Sequence, residues 1–193
     1  MEGCLVVYDN VMIQTDEQPK WFAMRATYRR ELIAQRALEA ASIVSFVPMR
    51  YELKMERGRR RRRLVPAIHN LIFVQATPSV LQAVKAKMPY LQYMMRRVEG
   101  QAQGEKIVVP DAQMEAFMAA AASLDEGMTY LGPQEVSLEK GLHVRIHGGP
   151  CDGREGYLVK VPGYRNRRVV VAIEGVVAVA LAEVKPEQIE VIS

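Results

Sequence analysis

The chain has 193 residues, nearly half apolar (49%) and a quarter charged (25%), with a formal net charge of +4. That balance fits one or two globular domains, and no run approaches the ~18–20 apolar residues of a membrane helix. With no such run no membrane is expected, and Cys4 and Cys151, too few and too far apart for a disulfide framework, point to a cytoplasmic setting. The charge is uneven: Lys20–Gln75 holds 13 basic and 4 acidic side chains, a balance of +9 that leaves −5 for the rest. Such asymmetry points one half at a polyanion.

Residues 1–19 read as a leader with a short strand at Leu5–Tyr8. "WFAMRAT" (21–27) alternates as a strand. Thr27 is an expected N-cap for a helix carrying Tyr28, Leu32, Ile33 and Ala37 on one stripe. "IVSFVPMRYELKME" and "NLIFVQA" read as strands joined through "RGRRRRR" at a hairpin tip. Thr77-Pro78 opens a second helix with Leu81, Val84 and Met88 on its apolar face. A strand at Leu91–Arg96, a turn at "EGQAQGE" and a third helix, "DAQMEAFMAAAASL", complete an α+β module over 20–123. Residues 124–140 show no period and read as a linker. From 141 to 193 five short segments, "LHVRI", "GYLVKV", "RRVVVAI", "VVAVALAE" and "QIEVI", suggest a small β-barrel.

The turn "GGPCDGREG" between the first two barrel strands needs backbone freedom, and Gly149, Gly153 and Gly156 can take positive φ beside the fixed Pro150. Gly141, Val144, Arg145, Ile146, Gly149, Pro150, Gly153 and Gly156 resemble the KOW motif, which begins an SH3-like barrel. Ahead of it, Trp21 opening a strand, "FVPMRYELKMERGRRRRR" and "LVPAIHNLIFV" resemble the NGN domain of NusG-type elongation and antitermination factors. The likeness covers about 20–192. It departs at "PAIHN", where extra residues follow Pro66, and leans toward the specialised, operon-directed branch.

The resemblance implies a protein that is not an enzyme, takes no cofactor, and docks through its front module on the clamp helices of RNA polymerase to suppress pausing or termination. It implies polymerase contacts at Leu71, Phe73, Met114 and Phe117, with Met95 added. The residues speak to the same point: "LIFV" is apolar on both faces and the third helix is almost uncharged, so each is either deeply buried or covered by a partner. Arg57, Arg59, Arg60, Arg61, Arg62 and Arg63 offer dense charge to the DNA of an elongation complex, with Lys85 and Lys87 as further phosphate contacts. The run has no interleaved aromatic, hence no stacking platform of its own.

For the barrel, the resemblance brings a small-subunit ribosomal protein or the termination factor Rho as partners. The Phe-Gly-Arg turn expected there is Glu174-Gly175-Val176, which removes an aromatic anchor and a cation. His143, His147 and Cys151 do not make a zinc site, because on a strand the two histidines lie about 13 Å apart. The competing readings are a ribosome-associated RNA-binding KOW protein and an inhibitor that occupies the clamp.

Overall fold

A computed structural model of the chain describes residues 6–8, 11–13, 17–98, 100, 103–124, 127–135, 137–181 and 184–192. In chain order its strands and α-helices are β1 (Val6–Tyr8), β2 (Val11–Ile13), β3 (Lys20–Ala26), α1 (Glu31–Ala40), β4 (Val44–Phe46), β5 (Met49–Glu56), β6 (Arg59–Pro66), β7 (Leu71–Ala76) and α2 (Pro78–Lys87). Then come β8 (Leu91–Tyr93), β9 (Met95–Arg96), β10 (Glu105–Lys106), β11 (Val108–Val109), α3 (Asp111–Ala122) and β12 (Thr129–Leu131). The last five are β13 (Leu142–Ile146), β14 (Glu155–Lys160), β15 (Arg167–Ile173), β16 (Val177–Ala180) and β17 (Ile189–Val191). The chain is α+β, a sheet with helices followed by a strand-rich module, as the sequence pattern predicts. It forms two compact units, 1–48 with 68–111 and 49–67 with 112–193.

The first unit is built on an antiparallel sheet in the order β11-β3-β7-β4, with β8 also paired to β3. In the register, Phe73 of β7 faces Ala23 of β3 on one side and Phe46 of β4 on the other. Trp21 to Met24 and Leu71 to Val74 are all buried, so both faces of the two central strands are covered. In α2 the Thr77 hydroxyl accepts the Val80 N–H at 3.3 Å and Pro78 takes the first turn. Its predicted stripe, Leu81, Val84 and Met88, is buried.

α1 starts later than Thr27 predicts. Tyr28 and Arg29 both sit at left-handed φ (62° and 55°), which ends β3 in a single 3-10 turn. The helix then runs from Glu31 with Arg30 at its cap and no side-chain cap bond. The buried stripe becomes Glu31, Ala34 and Leu38, while Tyr28 and Ile33 are exposed. The "EGQAQGE" turn lies partly outside the described residues, and so do Leu5 of the leader strand and Cys4.

The second unit is a six-stranded antiparallel sheet, β12-β16-β15-β14-β13-β17, together with the β5–β6 hairpin and α3. The five strands predicted after residue 141 are all present. A sixth, β12, comes from the stretch read as a linker and pairs with β16. Leu131 joins Val159, Val161, Val170, Ala178 and Ala180 in the core. Two of the turn glycines behave as expected, Gly149 and Gly153 at φ 71°. Gly156 does not: it lies within β14, and a Cβ there would meet the Val170 carbonyl at 3.0 Å.

Gly141 is likewise a matter of space, since a Cβ would sit 2.5 Å from Val159 Cγ1 and 3.1 Å from the Leu138 carbonyl. Val159 is buried and cannot simply swing away. Gly141→Ala should therefore cost about 1–3 kcal/mol by overpacking, read as a lowered urea midpoint with an unchanged slope. An unshifted midpoint would show that the β14 side chains yield freely.

Candidate functional site

The arginine run is not a loose tip but a strand. Arg57 and Gly58 both have positive φ (49° and 75°) and form the two-residue turn of a tight hairpin. Arg59–Arg63 then pair residue by residue with Glu56 back to Glu52. Alternation along a strand divides the charges between two faces. Arg59, Arg61 and Arg63 share one face with Glu52, Lys54 and Glu56, and Glu56 pairs with Arg63 at 3.3 Å and Arg61 at 3.9 Å.

Arg60 and Arg62 share the other face with Tyr51, Leu53, Met55 and Leu64, all four of them exposed. The Arg62 guanidinium lies 4.0 Å from the centre of the Tyr51 ring. The expectation of an arginine run without an aromatic holds for the linear sequence and fails in space, because the opposite strand supplies the ring. The Arg57-Gly58 turn was the signal that could have set this register. At the base of the hairpin the Tyr130 hydroxyl donates to the Met49 carbonyl at 3.2 Å. Burial pushes its pKa up to about 12, so it remains a donor across the physiological range.

The remaining predicted cations lie on α2. Lys85 Nζ is 4.3 Å from the Tyr93 ring centre, and Lys106 Nζ is 4.4 Å from it. Beside them is a groove of about 640 Å³ lined by Gln82, Lys85, Gln92, Tyr93 and Met95. Lys87 is exposed in the last turn of the helix.

The apolar strip is a different matter. Leu71 is 3% exposed and Phe73, Met114 and Phe117 are 0%. The expectation that β7 and α3 keep an uncovered face is overturned: the chain itself covers them. Within the second unit, the Phe117 ring meets Tyr130 edge-on at 6.4 Å, and Glu115 accepts from Arg154 at 2.8 Å. Met95, at 53%, is the one of the five that reaches the surface.

The polar face of β13 is occupied by contacts to carboxylates. His143 meets Glu155 at 3.1 Å, His147 meets Glu190 at 3.0 Å, and Arg145 lies between both carboxylates at 3.2 and 3.8 Å. Val144 and Ile146 fill the core, while Gly149 and Pro150 form the short 3-10 turn that follows. Among the described residues no group of three or more His, Cys, Asp or Glu side chains could hold a metal ion. Cys151 is buried, and burial raises its thiol pKa, with Arg154 opposing. Nor, among the described residues, is any helix long and apolar enough to cross a membrane.

The family model described as "Transcription termination factor nusG" matches residues 19–118. A solved structure of NusG from Thermotoga maritima, described as "Domain interaction in Thermotoga maritima NusG", is 20% identical over 91% of this chain and 98% of that one, with a TM-score of 0.43. No curated protein matches. The match over 19–118 takes in just over half of the chain and runs from β3 through the arginine hairpin into α3, and it is on this ground that the chain belongs to the NusG family of transcription factors.

Proposed function

We propose that the protein accompanies RNA polymerase during elongation and suppresses pausing or termination, with the β5–β6 hairpin laid against the DNA of the complex. The family assignment supports the transcriptional role, and the observation that carries the nucleic-acid part is a paired strand of five consecutive arginines on an exposed hairpin. In this reading 20–123 is the NGN-like module and 141–193 the KOW barrel. The clamp helices of the polymerase are the proposed partner. Met95 reaches them directly, whereas Leu71, Phe73, Met114 and Phe117 reach them only once their cover is displaced.

The departures at "PAIHN" and Glu174-Gly175-Val176 support an operon-directed member of the family. Asn70 closes the first of these turns at φ 65°, a conformation asparagine tolerates better than most residues. A ribosomal protein or Rho at the barrel is no part of the proposal, since the turn lacks the ring and the cation that would anchor either.

Two measurements test the reading. Capture from nuclease-treated lysate should retain RNA polymerase, and transcription through a pause site in vitro should show shorter dwell when the protein is added. Capture of RNA fragments without polymerase would favour the ribosome-associated alternative. Polymerase capture with longer dwell would make the protein an inhibitor.

A further inference from the structure

The six-stranded sheet has an open edge. β17 ends its order, and among the described residues no strand pairs with its outer side. Ile192 N–H donates to the His143 carbonyl at 2.9 Å, and His147 N–H donates to the Gln188 carbonyl at 2.8 Å. The backbone of Gln188, Glu190 and Ile192 therefore faces β13, while that of Ile189 and Val191 turns outward. The Ile189 N–H is spent on the Pro186 carbonyl, which leaves the Ile189 carbonyl and the Val191 N–H to the edge. The side chains mark the same place. Val191 stands opposite Val144 in the register, so the two share one face of the sheet. Val144 is fully buried there, yet Val191 is 58% exposed. A core-facing valine mostly in water marks a seam that lacks its cover.

The seam opens on a pocket of about 660 Å³, within the range of ligand sites, with Leu158, Val184, Ile189 and Val191 as its apolar wall. Arg165, Arg167 and Arg168 form the rim, and the described lining holds no carboxylate. Arg165 and Arg167 are exposed. Lys160 stands directly opposite Arg167 in the β14–β15 ladder, a like-charge pair that an anion between them would relieve. Arg168 is already engaged. Its guanidinium lies 4.3 Å from the Tyr164 ring centre and donates to the Leu181 carbonyl at 3.3 Å. That face of the ring is closed to a stacking base, which sets the pocket apart from a single-strand platform. Free edge groups, apolar side chains at alternate positions and cations beyond them fit an extended peptide that alternates apolar and acidic residues.

We infer that the seam between β17 and the β14–β15 turn binds an extended acidic segment of a partner protein as an added strand. Apolar side chains of that segment enter the pocket, and its carboxylates meet Arg165 and Arg167. The site lies wholly within the second unit and does not depend on the polymerase reading.

The test is fluorescence anisotropy of the full chain with a labelled eight-residue peptide of alternating valine and glutamate. Saturable binding below about 1 mM is expected. A peptide of alternating valine and lysine should bind at least about tenfold more weakly, since like charges oppose docking. Arg165→Gln with Arg167→Gln should weaken the acidic peptide about 3- to 30-fold, the range of two exposed ion pairs. Val191→Glu sets a carboxylate in the seam and should weaken it at least about tenfold. All three positions are exposed, so the melting temperatures should hold. The comparison of the two peptides on the unaltered chain needs no variant. No saturation by the acidic peptide, equal binding of the two peptides, or equal binding by wild type and folded variants overturns the inference. Displacement of the acidic peptide by 12-nucleotide U, lost in the double arginine variant, would make the seam a nucleic-acid site and overturn it too.

Discussion

Replacing Phe73 with alanine should destabilise the protein by about 3–5 kcal/mol, the usual cost of emptying a buried phenylalanine site. Phe73 is fully buried in the middle of β7, flanked by Ala23 and Phe46 in the neighbouring strands. With total stabilities of about 5–15 kcal/mol, that loss leaves little reserve. Phe73→Lys goes further, since it strands an unpaired charge in the same place. Urea denaturation followed by circular dichroism reads the first variant, and the second should fail to accumulate as folded protein. Met95→Lys is the contrast: at 53% exposure it should change stability by no more than about 0.5 kcal/mol and act only on polymerase capture. A well-folded Phe73→Lys variant with lost capture would mean that β7 is accessible after all. It would restore the strip as a direct docking face.

The Phe73 case shows where reading the sequence stops. Four apolar residues in a row, "LIFV", correctly announce a strand covered on both faces, because no polar position is left to meet water. They carry no information about whether the cover is the chain or another molecule. α3 behaves alike: its alanine-rich, nearly uncharged surface predicts burial, and Tyr130 is one of the groups that supply it. The start of α1 was hidden for another reason. Thr27 has the chemistry of a cap, but Asn70 and Tyr90, more than forty residues further on, hold the turn that displaces the helix start to Glu31. Local preference lost to hydrogen bonds that only the folded chain brings together. In the barrel, where each strand's own alternation and turn glycines set the pattern, the five strands were legible. β12 escaped because three residues are too few to show a period.

Replacing Arg59–Arg63 with serine should lower the salt dependence of duplex DNA binding by an amount that reports the shape of the hairpin. Each phosphate contact contributes about 0.9 to the slope of log affinity against log salt. Five arginines on a mobile tip could all find phosphates, for a change of about 4.5. On a paired strand they divide, three beside Glu52, Lys54 and Glu56 and two beside Tyr51, Leu53 and Met55. One duplex can meet one face, so the expected change is about 2.7 or about 1.8. Separate variants decide which: Arg59, Arg61 and Arg63 to serine, or Arg60 and Arg62 to serine. One of the two should reproduce the full effect and the other should leave the slope unmoved. The three-arginine face carries the larger charge but already engages Glu56, and exposed pairs of that kind are worth only about 0–1 kcal/mol, so phosphate can displace the carboxylate. A change near 4.5, or equal partial losses from the two variants, would show that the strand does not persist on DNA. No change in any variant would remove the hairpin from the DNA contact altogether.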